Sequence, residues 1–165
     1  MFKFALLFLL GISASPAYAG KLAEGVFGTP WGTHETFPKP GEVCTHQPEP
    51  TIEWACNREI AGVPVTVHYA WKYKLFYALM IRGTGFEGCN TLMNTLTAAW
   101  GASRPKSQYL NGALDDRVWQ DITASASWDY NKISGVCSVA AVSLSSYSAV
   151  QHLDKESVKS AAEGI

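Results

Sequence analysis

Charge is scarce in this chain. Asp, Glu, Lys and Arg make up 16% of its 165 residues, and 13 basic residues nearly balance 14 acidic ones. A net charge of −1 argues against a general binder of nucleic acid or anionic membranes, which needs a basic surface. No G-x-S-x-G, H-E-x-x-H, P-loop or dinucleotide fingerprint occurs, so the common hydrolase, zinc-protease and nucleotide-binding signatures are excluded. There is no C-x-x-C pair, and Cys44-Thr45-His46 has no standard zinc spacing. The Asp-x-Asp-x-Asp-Gly pattern of a calcium loop is missing too. No metal or cofactor is therefore expected. No apolar run is long enough to span a bilayer; the one at the N-terminus, Phe4 to Ile12, is nine residues.

That short run instead reads as a secretory leader over residues 1–19. Lys3 supplies the positive start, Phe4 to Ile12 the apolar centre, and Ala17-Tyr18-Ala19 the small-x-small cleavage site after Ser15-Pro16. Cleavage before Gly20 leaves 146 residues with 12 basic and 14 acidic groups. The residue after the cleavage site is Gly20 rather than a Cys that could carry lipid, and no Asn-x-Ser/Thr sequon is present. The expectation is a periplasmic protein, or alternatively a secreted one, with no membrane anchor in the mature chain.

The cysteines agree with that address. Cys44, Cys56, Cys89 and Cys137 form an even set, which in an oxidising compartment points to two disulfides. Three connectivities are possible, and Cys44–Cys56 with Cys89–Cys137 is favoured by the element pattern. Residues 20–50 are expected to form an irregular wrap, because Pro30, Pro38, Pro40, Pro48 and Pro50 interrupt regular structure. Phe27, Trp31 and Phe37 would pin it, and Cys44–Cys56 would staple its end to a strand over Ile52 to Ile60.

Alternation at Val63, Val65, Val67, Tyr69 and Trp71 marks a strand, Lys72 to Lys74 a turn, and Leu75 to Arg82 a second strand buried on both faces. Cys89, Leu92, Met93, Leu96 and Trp100 share one helical face, with Gly101 as the stop. Residues 102–115 connect to strands at Val118 to Asp121, Thr123 to Tyr130 and Val136 to Leu144. Cys137 shares a face with Val139 and Ala141, so a bond to Cys89 would clamp the helix onto the sheet. Ser148 and Gln151 suggest the cap of a last helix over 148–163. Trp54 with Tyr69, and Trp119 with Trp128 and Tyr130, hint at two related strand-rich halves. The fold predicted is one α+β domain over 20–165: an antiparallel sheet packed on one central disulfide-clamped helix, plus a C-terminal helix.

Candidate chemistry is thin. His34-Glu35 could act as an acid/base pair, and Asp115, Asp116, Asp121 and Asp129 could supply paired carboxylates. Each reads more simply as loop or edge charge. His68 and His152 are isolated, and the four thiols are expected to be paired. No catalytic residue is assigned. Tyr73, between two lysines at a hairpin tip, is the aromatic most expected at the surface. Trp31, Trp119 and Trp128 join it as candidate binding residues, since Trp and Tyr combine apolar area with a polar handle.

Phe27-Gly28-Thr29-Pro30-Trp31-Gly32, the hairpin from Val65 to Leu79, and Cys89…Leu96…Trp100-Gly101 resemble small bacterial envelope proteins. More distantly, the arrangement is similar to the SmpA/OmlA outer-membrane proteins and the beta-lactamase-inhibitor-like fold. Those families carry a helix soon after the Gly opener, where this chain has Pro38 and Pro40. The resemblance implies binding rather than catalysis, often to another protein. C-type lysozyme inhibitors carry Ser-Gly-x-x-Tyr; here Ser134-Gly135 is followed at that place by Ser138, which sets the chain apart from them. The expected function is a non-enzymatic, inhibitor- or immunity-like protein binder of the cell envelope. The alternatives are a glycan or peptidoglycan binder with an aromatic surface, and a small hydrolase.

Overall fold

Apolar side chains at every second residue drive most of this structure into one sheet. The computed structural model describes residues 20–33, 43–49, 52–105 and 114–163; the leader expected over 1–19 and the His34-Glu35 pair lie outside them. The elements in chain order are α1 (Gly20–Glu24), β1 (Gly25–Val26), β2 (Thr29–Pro30), β3 (Val43–Glu49), β4 (Ile52–Ile60), β5 (Val63–Lys72) and β6 (Leu75–Thr84). Then come α2 (Phe86–Trp100), β7 (Arg104–Pro105), β8 (Leu114–Gln120), β9 (Ala124–Asn131), β10 (Val136–Ser143) and α3 (Leu144–Glu163). Eight strands form one sheet in the order β3-β4-β5-β6-β10-β9-β8-β7, every neighbour antiparallel. It is thus two four-stranded meanders, each followed by a helix, joined where β6 meets β10. The α+β, antiparallel expectation holds.

Period two gives the sheet two faces. One carries Cys56, Val65, Val67, Tyr69, Ile81, Trp119, Ala126, Trp128, Cys137 and Val139, all buried in the main core. Helix α2 lays Cys89, Leu92, Leu96 and Trp100 on this face, and Leu22 of α1 and Val26 of β1 join them. Both disulfides are formed as expected, Cys44–Cys56 between directly opposed residues of β3 and β4, and Cys89–Cys137 between α2 and β10. Gly83 faces the second bond: a Cβ there would lie 3.2 Å from the Cys137 sulfur.

Among the described residues the second face is covered only at one end. Helix α3 leaves β10 and packs Val150 on Ala70 and Tyr77. Tyr77 reaches this face through a register shift in the β5–β6 pair, where Ala70 meets Ala78 but Trp71 meets Phe76. The hairpin turns at Tyr73 and Lys74, both at positive φ of 52° and 64°, as a two-residue turn compatible with strand twist requires. Tyr73 Oη and Lys72 Nζ both bond Asp154, at 2.7 and 2.8 Å, tying α3 to the turn. The Asp154 carboxyl is held below its usual pKa, first by the Lys72 hydrogen bond and then by that of Tyr73. This tether is therefore present above the ordinary carboxyl range and lost as pH falls through the lowered value. Asp154→Asn is expected to speed amide exchange across residues 155–163 with little change in Tm, since the group is exposed; unchanged exchange would show that the tether does not hold the helix.

Four details differ from the sequence reading. Residues 20–50 are not a wholly irregular wrap, since they contain α1, a short hairpin and β3; Pro48 is tolerated because β3 is an edge strand. Among the described residues there are three helices rather than two. Helix α3 starts at Leu144 rather than Ser148, because the Ser143 hydroxyl accepts the Ser146 N–H at 3.2 Å and caps it earlier. Strand β6 is not buried on both faces: Ala78 and Met80 are half-buried and Arg82 is exposed.

Candidate functional site

The four aromatics singled out from sequence do not share a surface. Trp119 and Trp128 are 3% and 2% exposed; Trp119 pairs with Ala126, and Trp128 shares the core face of Ala124 and Ala126 along β9. The Trp119 indole N–H donates to the Gly101 carbonyl at 2.8 Å, and its ring meets Trp100 edge-on. Trp31 is half-buried, stacked 4.9 Å from Phe76, with its N–H on the Leu22 carbonyl. It pins the N-terminal segment, helped by the Gly32 N–H on the Phe76 carbonyl. Tyr73 is 42% exposed at the hairpin tip, but its hydroxyl is engaged by Asp154.

The acidic candidates are mostly structural. The Asp121 carboxylate accepts the N–H groups of Thr123 and Ala124, both at 2.7 Å, and makes the turn into β9. Asp116 and Asp129 oppose each other across β8 and β9, a costly like-charge placement, and both have further partners. His152 lies 3.6 Å from Glu156 on the exposed side of α3. Among the described residues no three His, Cys, Asp or Glu side chains could hold a metal together, and no helix is long and apolar enough to cross a membrane.

What the strands do build is a groove on the incompletely covered face. It holds about 340 Å³ and is floored by His68 and Ala70 of β5, Ala78 and Met80 of β6, Ala140 and Val142 of β10, and Ser125 and Ser127 of β9. Every lining residue except the bulged Tyr77 belongs to a run of directly paired strand residues, and α3 contributes none. Among the described residues the groove therefore has a floor without an opposing wall. Its depth comes from small side chains in two neighbouring rows of the sheet, Ala70–Ala78–Val142–Ser125 and His68–Met80–Ala140–Ser127. Of these residues, Ala78 and Met80 read from sequence as core, because Leu75 to Arg82 is apolar on both faces. The missed signal was the alternation of Ala78, Met80 and Arg82 on the far side of β6.

His68 is the titratable centre of this floor. Its Nδ1 is buried and has no hydrogen-bond partner among the described residues. Burial, and then the Arg82 charge, hold its pKa below the ordinary 6.5. In the row it shares with Ser127 three strand steps intervene, about 14 Å, far beyond the reach of a nucleophile–base pair. Because the folded state resists the proton, stability is full above about pH 6.5 and falls as pH drops toward the lowered value. The Tm of the native chain is expected to decline between pH 7 and pH 5 more steeply than that of His68→Gln; parallel curves would contradict the placement of this ring.

No protein-family model, no curated protein and no solved structure matches this chain.

Proposed function

We propose that this chain is a non-enzymatic binding protein of the periplasm or the extracellular space, and that it binds another protein in the manner of an inhibitor or immunity protein. The observation that carries the reading is the apolar groove, which among the described residues has a floor and no wall. Small-ligand sites bury most of their ligand, whereas a one-sided floor suits a side chain presented by a second surface. The two disulfides suit an oxidising compartment, consistent with the leader read from sequence. Burial of Trp119 and Trp128 weighs against a sugar-stacking platform.

Differential affinity capture tests this. Ala140 is exposed at the centre of the floor, so Ala140→Arg fills the groove without touching the core. From envelope extract, the native chain is expected to retain a stoichiometric protein partner that Ala140→Arg loses, with equal melting curves. Equal retention by both chains, or none by the native chain, would overturn the reading.

A further inference from the structure

Arg82 is a charged group of this face that no described residue answers; Glu59, opposite Pro64 on β4, is another, but it lies two strands from Arg82 and away from the groove. Arg82 is exposed on β6, two residues beyond Met80, and no carboxylate or other acceptor meets its guanidinium among the described residues. Its direct neighbours across the sheet, Thr66 and Ser138, are uncharged. Asp129 follows Ser138 in the same row, two strand steps or about 10 Å away, and has partners of its own. His68 is the diagonal neighbour of Arg82, two pairs along the strands, within reach of the same incoming group. An unanswered cation and an unpartnered ring nitrogen thus stand together at one end of an apolar floor.

Resting on the protein-binding reading above, we infer that the partner segment seated in the groove carries a carboxylate for Arg82 beside a large apolar side chain that covers Ala78, Met80 and Ala140. The apolar floor supplies desolvation, and a guanidinium at its rim supplies orientation through a charge-assisted, two-pronged hydrogen bond. A carboxylated lipid would present the same chemistry. The one-sided floor that the described residues form favours the protein segment, because an acyl chain on it would keep one whole side in water.

Short random peptides displayed on phage would be selected on the purified, disulfide-bonded chain and counter-tested on Arg82→Gln and Ala140→Arg. Both substituted positions are exposed, and melting curves check that the variants fold. The selected peptides are expected to place Asp or Glu next to Leu, Phe or Trp. Changing that acid to its amide is expected to weaken binding to the native chain about tenfold and to leave binding to Arg82→Gln unaltered. Selected peptides without an acid, or an acid effect that persists in Arg82→Gln, would overturn the inference while leaving the groove as the binding face. Displacement of the acidic peptides by micromolar oleate, with tighter binding of oleate itself, would assign the site to a lipid and overturn it as well. Peptides that bind Ala140→Arg as well as the native chain, or no selected peptide at all, would remove the protein-binding reading itself.

Discussion

Replacing Cys89 and Cys137 together by alanine is expected to lower stability by about 4 kcal/mol, the chain-entropy value for a bridge of this span. The bond closes a sequence separation of 48 residues, and both cysteines are buried, at 2% and 0% exposure. It ties α2 to β10 at the seam where the two meanders meet, so its loss frees the helix and the seam together. A loss of this size corresponds to a Tm lower by about 10–15 °C. Removing Cys44 and Cys56 is expected to cost less, about 3 kcal/mol, because that bridge spans 12 residues and links strands already paired by a hairpin. Calorimetry of the two double variants checks the order. If the short bridge proves the costlier, α2 is held by packing rather than by its tether.

Trp128→Ala is expected to cost about 3–5 kcal/mol, the range for emptying a large buried aromatic site. Trp128 is among the largest fully buried side chains of the main core, and its neighbours in register, Val139 and Arg117, come from the strands on either side. Against a total stability of about 5–15 kcal/mol, such a loss leaves a marginal fold. Its indole N–H is buried without an acceptor among the described residues, so Trp128→Phe also removes an unsatisfied donor and is expected to cost clearly less than Trp128→Ala. Denaturant titration of the two variants decides it. A near-silent Trp128→Ala would mean that the ring is not in the core and would restore it as a surface candidate.

The burial of Trp128 shows where sequence reasoning reaches its limit. In Ala124-Ser125-Ala126-Ser127-Trp128-Asp129 the period is evident, and it places Ala124, Ala126 and Trp128 on one face. Nothing local says which face is covered, since alanine and serine fit either one. By contrast, β5 was legible because Val63, Val65, Val67 and Tyr69 oppose Pro64, Thr66 and His68. The disulfide pairing followed from placing Cys89 on the apolar stripe of a helix and Cys137 on the apolar side of a strand. The groove was hidden for a long-range reason. Its floor takes residues from four strands that are brought together by the β6–β10 pairing, across more than 50 residues of chain. The early start of α3 was hidden for a local one: three closely spaced candidates, Ser143, Ser145 and Ser146, could each cap a helix, and packing of Val150 on Tyr77 selects the register.

The central claim is that the open face around the groove meets a protein partner. Hydroxyl-radical footprinting of the chain, with and without the captured partner, reads side chains there directly. Met80 lies half-buried on the groove floor, Met93 packs against the opposite core face, and Tyr147 is exposed on α3. The account expects oxidation of Met80 to fall when the partner is added, with Met93 and Tyr147 unchanged. Unchanged oxidation of Met80 beside protection of Tyr147 would place the partner on α3 and contradict the account.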